Sequence, residues 1–565
     1  MMGKWWQEAV VYQIYPRSFY DSNNDGIGDI QGIIEKLDYL KNLGVTTIWV
    51  CPFYKSPMDD QGYDVSDFFE VSEDYGTFLD LKNLIDELHN RNMRLIIDLV
   101  LNHTSDEHPW FIESRKSKDN DYRDYYIWQN GKEDEPPTNW ESFFGGSVWE
   151  YDNSTDEYYM HIFSKKMPDL NWNNSHMRKD IYKMMHWWLK KGVDGFRVDA
   201  VAHLDRNFNF PNHPVPSGRD YSPCYYEFSN RPKVHERIQE MVDEVLSKYD
   251  VMTVGEAGGA SIEDTLKYCA YNRNEFNMLI SFDHCWVDVD DASAEYVPGK
   301  WTFKSLHLPD LKKSLAKYQI ELYGKAWNTL FWSNHDQPRV LSHYGNDSVA
   351  YRKISAKMLG TVLYFMGGTP FIYQGEEIGM TNVSYPNIND YKDVEIFTLY
   401  NETVLKNVAT KEDILNRIHK RSRDNARTPM QWDNSQNAGF SRVEPWMKVN
   451  PNYVDINARD NLRDKDSIYY YYQKIFEIRQ NTKCFIYGKF KLYLEDDLNI
   501  FMYTRSFEKE CYLVLANFFE DYIKVEVPNN LVKKDASIIL SNYEKQPLNN
   551  EIHLRPFEAI VYRLQ

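Results

Sequence analysis

Eight short apolar segments, separated by longer stretches of helical character, constrain the fold of this chain most strongly. They are residues 10–16, 46–50, 94–100, 195–200, 251–257, 277–283, 329–336 and 369–378. Helical sequence lies between them, for example at about 30–43, 77–92, 176–191 and 233–249. Alternation of strand and helix favours a parallel sheet, and eight strands are the number that closes a (β/α)8 barrel. We therefore predict an α/β fold, a TIM barrel.

Two regions depart from this alternation. Residues 104–174 are rich in Trp, Tyr, Asp and Asn, which predicts a subdomain inserted after the third strand. From about residue 488 the chain changes to short alternating strands, which predicts a C-terminal antiparallel β domain, a β-sandwich. The predicted domains are therefore a catalytic barrel of residues 1–103 and 175–487, an inserted subdomain of 104–174 and a β domain of 488–565.

Composition excludes several classes of partner. The net charge is −19, from 65 Lys and Arg against 84 Asp and Glu, which disfavours nucleic acid and anionic membranes. No apolar run reaches the roughly 20 residues of a membrane span, and the N-terminus lacks the apolar core of a secretory signal. The six cysteines are scattered without metal-ligand spacing. We expect a cytoplasmic monomer with reduced cysteines and a small-molecule substrate.

Three acidic residues, Asp199, Glu256 and Asp336, lie at the ends of three predicted strands. In barrels of this type the chemistry takes place at the carboxyl ends of the strands. Arg197 lies two residues before Asp199, and that segment alone fits either a buried ion pair or a carboxylate nucleophile beside a cation. Because buried unpaired charge costs several kcal/mol, acids at three strand ends favour the functional interpretation.

Paired carboxyl groups around one bond are what glycoside hydrolysis requires. One group attacks or supports the sugar carbon, and the other protonates the leaving oxygen. Retention and inversion of configuration both remain open at this point. A metal-dependent hydrolase is the rival chemistry, but no His, Asp and Glu cluster has ligand spacing.

A polar loop follows the first predicted strand. Oxygen-bearing groups alternate along it: Asp21, Asn23, Asp25, the Ile27 carbonyl and Asp29. This pattern suits a hard cation such as Ca²⁺, and a solvated turn is the alternative. The loop lacks the twelfth-position Glu of an EF-hand. We expect a structural Ca²⁺ ion here and no organic cofactor.

The motifs resemble those of the α-amylase superfamily of glycoside hydrolases, and within it the bacterial oligo-1,6-glucosidase and α-glucosidase group. The resemblance extends from Trp5 to the C-terminus. It is carried by Asp-Leu-Val-Leu-Asn-His at 98–103, Met-Pro-Asp-Leu-Asn at 167–171, Gly-Phe-Arg-Val-Asp-Ala at 195–200, Glu256, Asn-His-Asp at 334–336 and Arg-Asp-Asn-Ala-Arg-Thr-Pro-Met-Gln-Trp at 423–432.

The resemblance implies a retaining double displacement that releases glucose from the non-reducing end of short α-glucosides. Asp199 would be the nucleophile, Glu256 the general acid and base, and Asp336 the residue that holds ring hydroxyl groups in the transition state. Arg197 would keep Asp199 ionised, and Asp98 would lie behind the catalytic residues.

The same resemblance implies a set of substrate-binding residues and the calcium site. His103 and His335 would bond the glucose, Asp60, Tyr63 and Arg423 would close the pocket so that the enzyme acts from chain ends, and Tyr63 and Phe163 would present apolar faces to the ring. The loop of residues 21–29 matches the calcium site of the group.

Two residues depart from the oligo-1,6-glucosidases, which usually have Val at the position of Ala200 and Gln at that of Met167. The position after the nucleophile borders the leaving group in this family, so a smaller Ala200 widens that site. Such a change alters substrate preference by roughly 10–200-fold. Maltose-like α-1,4 links and sucrose are therefore expected as substrates beside isomaltose.

Four alternatives remain: a strict oligo-1,6-glucosidase, a trehalose-6-phosphate hydrolase, a sucrose isomerase and a non-catalytic interaction protein. A trehalose-6-phosphate hydrolase needs cations to bind the phosphate of its substrate. Sucrose isomerases typically have an Arg-rich loop, which segment 337–344 of this chain lacks. The last resembles the ectodomains of amino-acid transporter heavy chains, which have a membrane anchor and have lost catalytic acids.

Overall fold

The computed structural model describes residues 3–132, 135–290 and 297–564. The eight predicted strands are present and form one parallel sheet. In chain order, β1 to β8 are Val11–Ile14, Thr47–Val50, Arg94–Val100, Gly195–Asp199, Met252–Glu256, Met278–Ile280, Thr329–Leu330 and Thr369–Tyr373.

The sheet closes into a barrel. Its strand order is β6-β5-β4-β3-β2-β1-β8-β7, and a parallel bridge between Leu279 and Asn328 joins the two ends. Every neighbouring pair is parallel, as between β3 and β4, where Asp98 lies opposite Arg197. The predicted (β/α)8 barrel is confirmed.

Helices follow the strands and cover the outside of the barrel. The helices of six or more residues are Ile30–Glu35, Leu37–Leu43, Phe78–Asn90, Pro109–Ser114, Ser175–Lys191, Lys233–Glu244, Ile262–Cys269, Leu308–Glu321, Arg352–Tyr364, Val394–Tyr400, Lys411–Arg421, Ala458–Arg463 and Ile468–Asn481. The helices of four or five residues are Trp5–Glu8, Val340–His343, Asp424–Arg427 and Lys483–Tyr487.

The helix Phe78–Asn90 illustrates why the sequence forms these elements. The Thr77 side chain accepts a hydrogen bond from the Asp80 amide, and the Asp80 carboxylate accepts one from the Thr77 amide, so the first turn is capped from both sides. Its buried side chains are Leu81, Leu84, Ile85 and Leu88. They have the i, i+3, i+4, i+7 spacing of one helix face, and that face packs on the barrel.

The inserted region after β3 contains a small antiparallel sheet of Trp128–Gln129, Trp149–Asp152 and Glu157–Met160. Antiparallel bridges from His103 to Asp169 and from Tyr126 to Leu170 tie its two ends together beside the barrel mouth. This placement brings aromatic residues of the insertion over the carboxyl ends of the strands. The limits 104–174 remain a prediction.

The C-terminal region is an antiparallel β domain, as predicted. Strands β9 to β15 are Lys489–Tyr493, Ile500–Phe507, Glu510–Asn517, Ile523–Glu526, Ser537–Ser541, Glu551–Leu554 and Ala559–Arg563. One sheet has the order β9-β10-β11-β15-β13 and a second pairs β12 with β14. Apolar side chains of both sheets, such as Leu513 and Val525, share one core, which is the arrangement of a sandwich. The limits 488–565 stay a prediction.

Among the described residues, no helix has both the length and the apolar character needed to cross a bilayer.

Candidate active site

A cavity of about 580 Å³ opens at the carboxyl ends of the barrel strands. This volume lies within the range of roughly 300–1,000 Å³ typical of small-molecule sites. Ten of the residues singled out in the sequence line it: Asp60, Tyr63, His103, Phe163, Asp199, Ala200, Glu256, His335, Asp336 and Arg423. Arg197 lies behind the cavity wall and is 1 % exposed. The sequence therefore identified residues that the fold brings together from six loops and strands.

Arg197 organises the acidic residues of the cavity. Its Nη1 lies 2.7 Å from Asp199 Oδ1 and also contacts Asp98, and its Nη2 lies 2.5 Å from Glu256 Oε2. Trp49 covers the guanidinium, with its ring centroid 5.1 Å from Cζ. Strand alternation explains the arrangement, because Arg197 and Asp199 are two residues apart on β4 and lie on one face. A single guanidinium therefore fixes three carboxyl groups from β3, β4 and β5.

This group of acids holds more negative charge than its one cation balances. Burial raises the pKa of Asp199 well above its usual range, and Glu256 and Asp98 add to the rise while Arg197 opposes it. Burial likewise raises the pKa of Asp98 to about 6, again against Arg197. The neighbouring carboxyl groups therefore raise the pKa of Asp199 and of Asp98, and Arg197 is the group that favours their ionised forms.

The two carboxyl oxygens of Glu256 have different surroundings. Its Oε2 forms an ion pair with Arg197 Nη2 at 2.5 Å and accepts a hydrogen bond from the backbone amide of Ala200 at 3.2 Å. Its Oε1 has no hydrogen bond to any residue in the described part of the chain. Oε1 is therefore the oxygen left free to protonate a leaving group in the cavity.

Asp336 has the opposite electrostatic environment. Burial alone would raise the pKa of its carboxyl group, but His335, Arg423 and Arg427 reverse that effect and hold it well below its usual range. The Arg427 Nη2 is 2.9 Å and the Arg423 Nη1 is 3.5 Å from Asp336 Oδ1. Asp336 is therefore ionised across the neutral range, as a hydrogen-bond acceptor for sugar hydroxyl groups has to be.

The two histidines at the site are neutral. Burial lowers the pKa of His103 and of His335 to about 3. The Gln13 amide nitrogen lies 2.8 Å from His335 Nδ1, and since an amide nitrogen only donates, His335 carries its hydrogen on Nε2. That nitrogen lies 3.0 Å from Asp336 Oδ2. His335 therefore presents its hydrogen-bearing nitrogen to the Asp336 carboxylate.

Rings supply the apolar surface of the cavity. The Tyr63 ring stacks on His335 with centroids 5.1 Å apart and an interplanar angle of 6°. Phe163 meets His103 edge to face at 5.4 Å. Apolar ring faces of this kind suit the carbon side of a pyranose, and the acids beside them suit its hydroxyl groups.

Arg423 closes one end of the cavity. Its Nη2 lies 2.9 Å from Asp60 Oδ1 and 2.6 Å from Asp393 Oδ1, and Arg423, Asp60 and Asp393 are all buried. The Phe144 ring lies 5.1 Å from the guanidinium carbon. A sugar chain therefore meets a wall at this end rather than an open groove.

Ala200 differs from its predicted conformation. The predicted strand of residues 195–200 includes Ala200, but β4 ends at Asp199 and Ala200 adopts φ 47° and ψ 32°, in the left-handed region. This turn aims its backbone amide at Glu256. Its side chain still lines the cavity next to Asp199.

Met167, which the sequence singled out only as a departure from the family, also lines the cavity. Several lining residues were not identified from the sequence: Phe143, Phe144, His203, Tyr225, Tyr226, Ser229, Asn230, Gly258, Gly259 and Phe282. Most come from the insertion and from segment 205–232, where no periodicity ties a side chain to a face. Arg427 was also missed, although its i, i+4 spacing from Arg423 on one helical turn was a usable signal.

The loop of residues 21–29 lies away from the cavity, and none of its residues lines it. The Asp21 carboxylate accepts hydrogen bonds from the amides of Asn24 and Gly26, at 2.7 and 2.9 Å. Asp29 caps the helix Ile30–Glu35 by accepting from Gly32. Among the described residues, no three His, Cys, Asp or Glu side chains cluster as metal ligands do. The oxygen-only donor set suits a hard cation, and calcium binding stays a prediction.

A parallel barrel with three acids around a sugar-sized cavity at its carboxyl end is the architecture of a carbohydrate-cleaving enzyme. The family model for the α-amylase catalytic domain matches residues 13–488. The chain belongs to the α-amylase family of glycoside hydrolases.

Similar proteins span its whole length. The chain is 51% identical to an oligo-1,6-glucosidase of Parageobacillus thermoglucosidasius, with 99% of each chain covered. It is 43% identical to the trehalose-6-phosphate hydrolase of Bacillus licheniformis in its crystal structure, with a TM-score of 0.93 over 99% of this chain and 100% of that one. It is 41% identical to an isomaltulose synthase of Klebsiella sp. LX3, with a TM-score of 0.95 and complete coverage of both.

Proposed function

We propose that this glycoside hydrolase is an exo-acting, retaining α-glucosidase that releases glucose from the non-reducing end of short α-glucosides. The observation that carries the proposal is the shared guanidinium of Arg197, which contacts Asp199 through one nitrogen and Glu256 through the other. Two carboxyl groups held side by side suit the separation of about 5–5.5 Å used by retaining enzymes.

In the first step an Asp199 carboxylate oxygen attacks the anomeric carbon as Glu256 passes its proton to the leaving oxygen. The bond to the leaving group breaks, and a glucosyl ester forms on Asp199. Glu256, now ionised, then takes a proton from water, and the water oxygen displaces Asp199. Asp336 accepts hydrogen bonds from ring hydroxyl groups through both steps.

The closed end of the cavity supports release of single glucose units. Asp60, Arg423 and Asp393 form the wall there, so the terminal pyranose fits with its non-reducing end against them. Among the described residues that line the cavity, Arg423 is the one Lys or Arg, and it is paired with acids at this end. This arrangement favours neutral leaving groups over the phosphorylated one of trehalose 6-phosphate.

A substrate panel tests this proposal. We expect glucose release from maltose, sucrose and isomaltose, and turnover of trehalose 6-phosphate at least tenfold below the best of them. A maltoheptaose whose non-reducing end is chemically blocked is expected to resist hydrolysis. Cleavage of the blocked chain into internal fragments would contradict exo action, and trehalose 6-phosphate as the best substrate would contradict the proposed substrate class.

Replacement of Ala200 by valine is expected to raise the isomaltose-to-maltose ratio of kcat/KM, within the roughly 10–200-fold that such side-chain changes produce. The two added methyl groups narrow the site next to Asp199, which changes leaving-group preference. Because φ is 47° at this residue and β-branched residues are strained there, melting temperature is measured alongside. Turnover of p-nitrophenyl α-glucoside by the same variant serves as the reference for any general loss of activity. An unchanged or lowered isomaltose-to-maltose ratio would show that Ala200 does not determine the linkage preference.

We propose that the loop of residues 21–29 binds Ca²⁺ through the oxygens of Asp21, Asn23, Asp25, Ile27 and Asp29. Saturating Ca²⁺ is expected to raise the melting temperature by a few degrees over EDTA, since binding at 100 times Kd adds about 2.7 kcal/mol. Replacement of the exposed Asp25 by alanine is expected to abolish the shift. Equal melting temperatures with Ca²⁺ and EDTA, or a shift that survives Asp25→Ala, would contradict the site.

We further propose that the enzyme works as a monomer in a reducing compartment such as the cytoplasm. All six cysteines are unpaired, and five of them are buried. Reduced buried cysteines are usual in proteins of that compartment.

A further inference from the structure

A second cavity lies at the opposite end of the barrel from the active site. Its volume is about 370 Å³, and it shares no lining residue with the first. On one side are Trp327 and Gly368, which come just before β7 and β8, and on the other are Arg505 and Phe507 of β10 in the C-terminal domain. The cavity therefore lies between the amino ends of the barrel strands and the β domain.

Aromatic rings form much of its wall. Trp327 and Tyr487 lie with ring centroids 5.9 Å apart, and Tyr487 lies 6.3 Å from Phe507. Tyr271 also lines the cavity, and Tyr323, which is 46 % exposed, lies at the side open to solvent. Faces of this kind bind flat or ring-shaped ligands.

Arg505 is a buried cation on this wall that lacks an acidic partner. It is 1 % exposed, and its hydrogen bonds go to the Gln319 side chain at 3.0 Å and to the carbonyls of Phe485 and Cys484 at 3.3 and 3.5 Å. Its Nε is buried without a hydrogen-bond partner. Within residues 3–132, 135–290 and 297–564, no Asp or Glu forms an ion pair with it.

A second arginine increases the positive charge of this region. Arg479 is 2 % exposed and donates to the carbonyls of Tyr364, Met366 and Phe485, at 2.9, 2.7 and 3.1 Å. Burial lowers the pKa of Arg505 to about 10. Burial, together with the charge of Arg505, lowers the pKa of Arg479 to about 9. Both stay cationic at neutral pH.

The absence of an acidic partner for Arg505 and Arg479 within the described residues is unusual in a chain with so many acidic residues. It carries 84 Asp and Glu against 65 Lys and Arg, and a buried charge without a partner costs several kcal/mol. Arg479 is satisfied by carbonyl groups, but Arg505 lines the cavity and its Nε has no hydrogen-bond partner among the described residues. An anion that enters the cavity would supply the missing charge and accept those hydrogen bonds.

We propose that this cavity is a binding site for a small ring compound bearing an anionic phosphate or carboxylate group. The anionic group lies against Arg505, and the ring lies against Trp327 and Tyr487. Gly367 permits this placement of Arg505, because a Cβ there would come within 2.7 Å of Arg505 Nη1. A sugar phosphate and an aromatic carboxylate share this chemistry.

Calorimetric titration of the full chain tests the proposal, with an active-site inhibitor present at saturation so that only the second site responds. The probes are glucose 6-phosphate, benzoate, inorganic phosphate and glucose. We expect at least one of the two ring anions to bind with Kd below 1 mM and at least tenfold more tightly than inorganic phosphate or glucose. The tighter ring anion identifies the source as a sugar phosphate or an aromatic carboxylate.

Two substitutions locate the binding. Tyr323→Glu adds a carboxylate at the exposed rim beside Arg505 without removing any of its bonds, and Arg505→Gln removes the cation. Each is expected to weaken binding at least tenfold, whereas Tyr522→Glu, at a residue 76 % exposed and not part of the cavity, is expected to leave it unchanged. Failure of both ring anions to bind below 1 mM, equal affinity for inorganic phosphate, or full binding by Tyr323→Glu would overturn the proposal.

Discussion

Replacement of Asp199 by asparagine is expected to lower kcat for glucose release by on the order of 10⁴ to 10⁶-fold, the range seen when one member of a catalytic unit is lost. The amide has nearly the same shape but cannot form the glucosyl ester. Its bond to Arg197 Nη1, at 2.7 Å in the parent chain, is weakened as well. Steady-state release of glucose from the best disaccharide of the panel measures the effect.

Asp496→Asn is the matched control, because the Asp496 side chain is 88 % exposed and lies outside the cavity. Its activity is expected to equal that of the parent chain. A second check uses Asp199→Gly with sodium azide and α-glucosyl fluoride. Azide is expected to enter the space left by the carboxylate and to give the β-glucosyl azide. Full activity in Asp199→Asn would contradict the nucleophile assignment.

Replacement of Glu256 by glutamine is expected to lower kcat/KM on disaccharides by about 10²–10⁴-fold, the usual contribution of a positioned general acid. The loss depends on the leaving group. A p-nitrophenolate leaves without protonation, so p-nitrophenyl α-glucoside is expected to lose far less in the first step than maltose does. The ratio of the two losses is therefore the diagnostic quantity.

Glu263→Gln provides the matched control, because that side chain is 83 % exposed. Azide added to Glu256→Ala is expected to restore turnover of the activated substrate and to give α-glucosyl azide, opposite in configuration to the product from Asp199→Gly. Equal losses on maltose and p-nitrophenyl α-glucoside would show that Glu256 does not protonate the leaving group.

Much of the barrel was predictable because its signals are local. Apolar runs such as 94–100 and the amphipathic stretch 77–92 each identify one element, and their alternation determines the architecture. The catalytic residues followed from this prediction, because carboxyl ends of parallel strands meet at one face. Asp199, Glu256 and Asp336 accordingly line the same cavity.

The predicted conformation of Ala200 was wrong, because the alternation of side chains along a strand does not show at which residue the strand ends. Ala200 adopts a left-handed backbone conformation directly after Asp199. Alanine has no strong backbone preference from which such a turn could be predicted. The aromatic residues Phe143, Phe144 and Tyr226 were missed for a related reason. They lie in irregular segments, where the position of a side chain depends on tertiary packing and not on spacing.

The charge balance of the site also needed the structure. The sequence pairs Arg197 with Asp199, but it does not show that Glu256 and Asp98 contact the same guanidinium. Nor does it show that two arginines, Arg423 and Arg427, surround Asp336. These contacts hold Asp199 and Glu256 side by side on one guanidinium and keep Asp336 ionised, as the proposed mechanism requires.

Trapping of the glucosyl-enzyme tests the central claim most directly. The parent chain is treated with 5-fluoro-α-D-glucosyl fluoride, digested, and analysed by mass spectrometry. The account predicts one added 5-fluoroglucosyl group, located on the peptide that contains Asp199, and loss of activity in step with its formation. A label on any other residue, or inactivation without a covalent adduct, would contradict it.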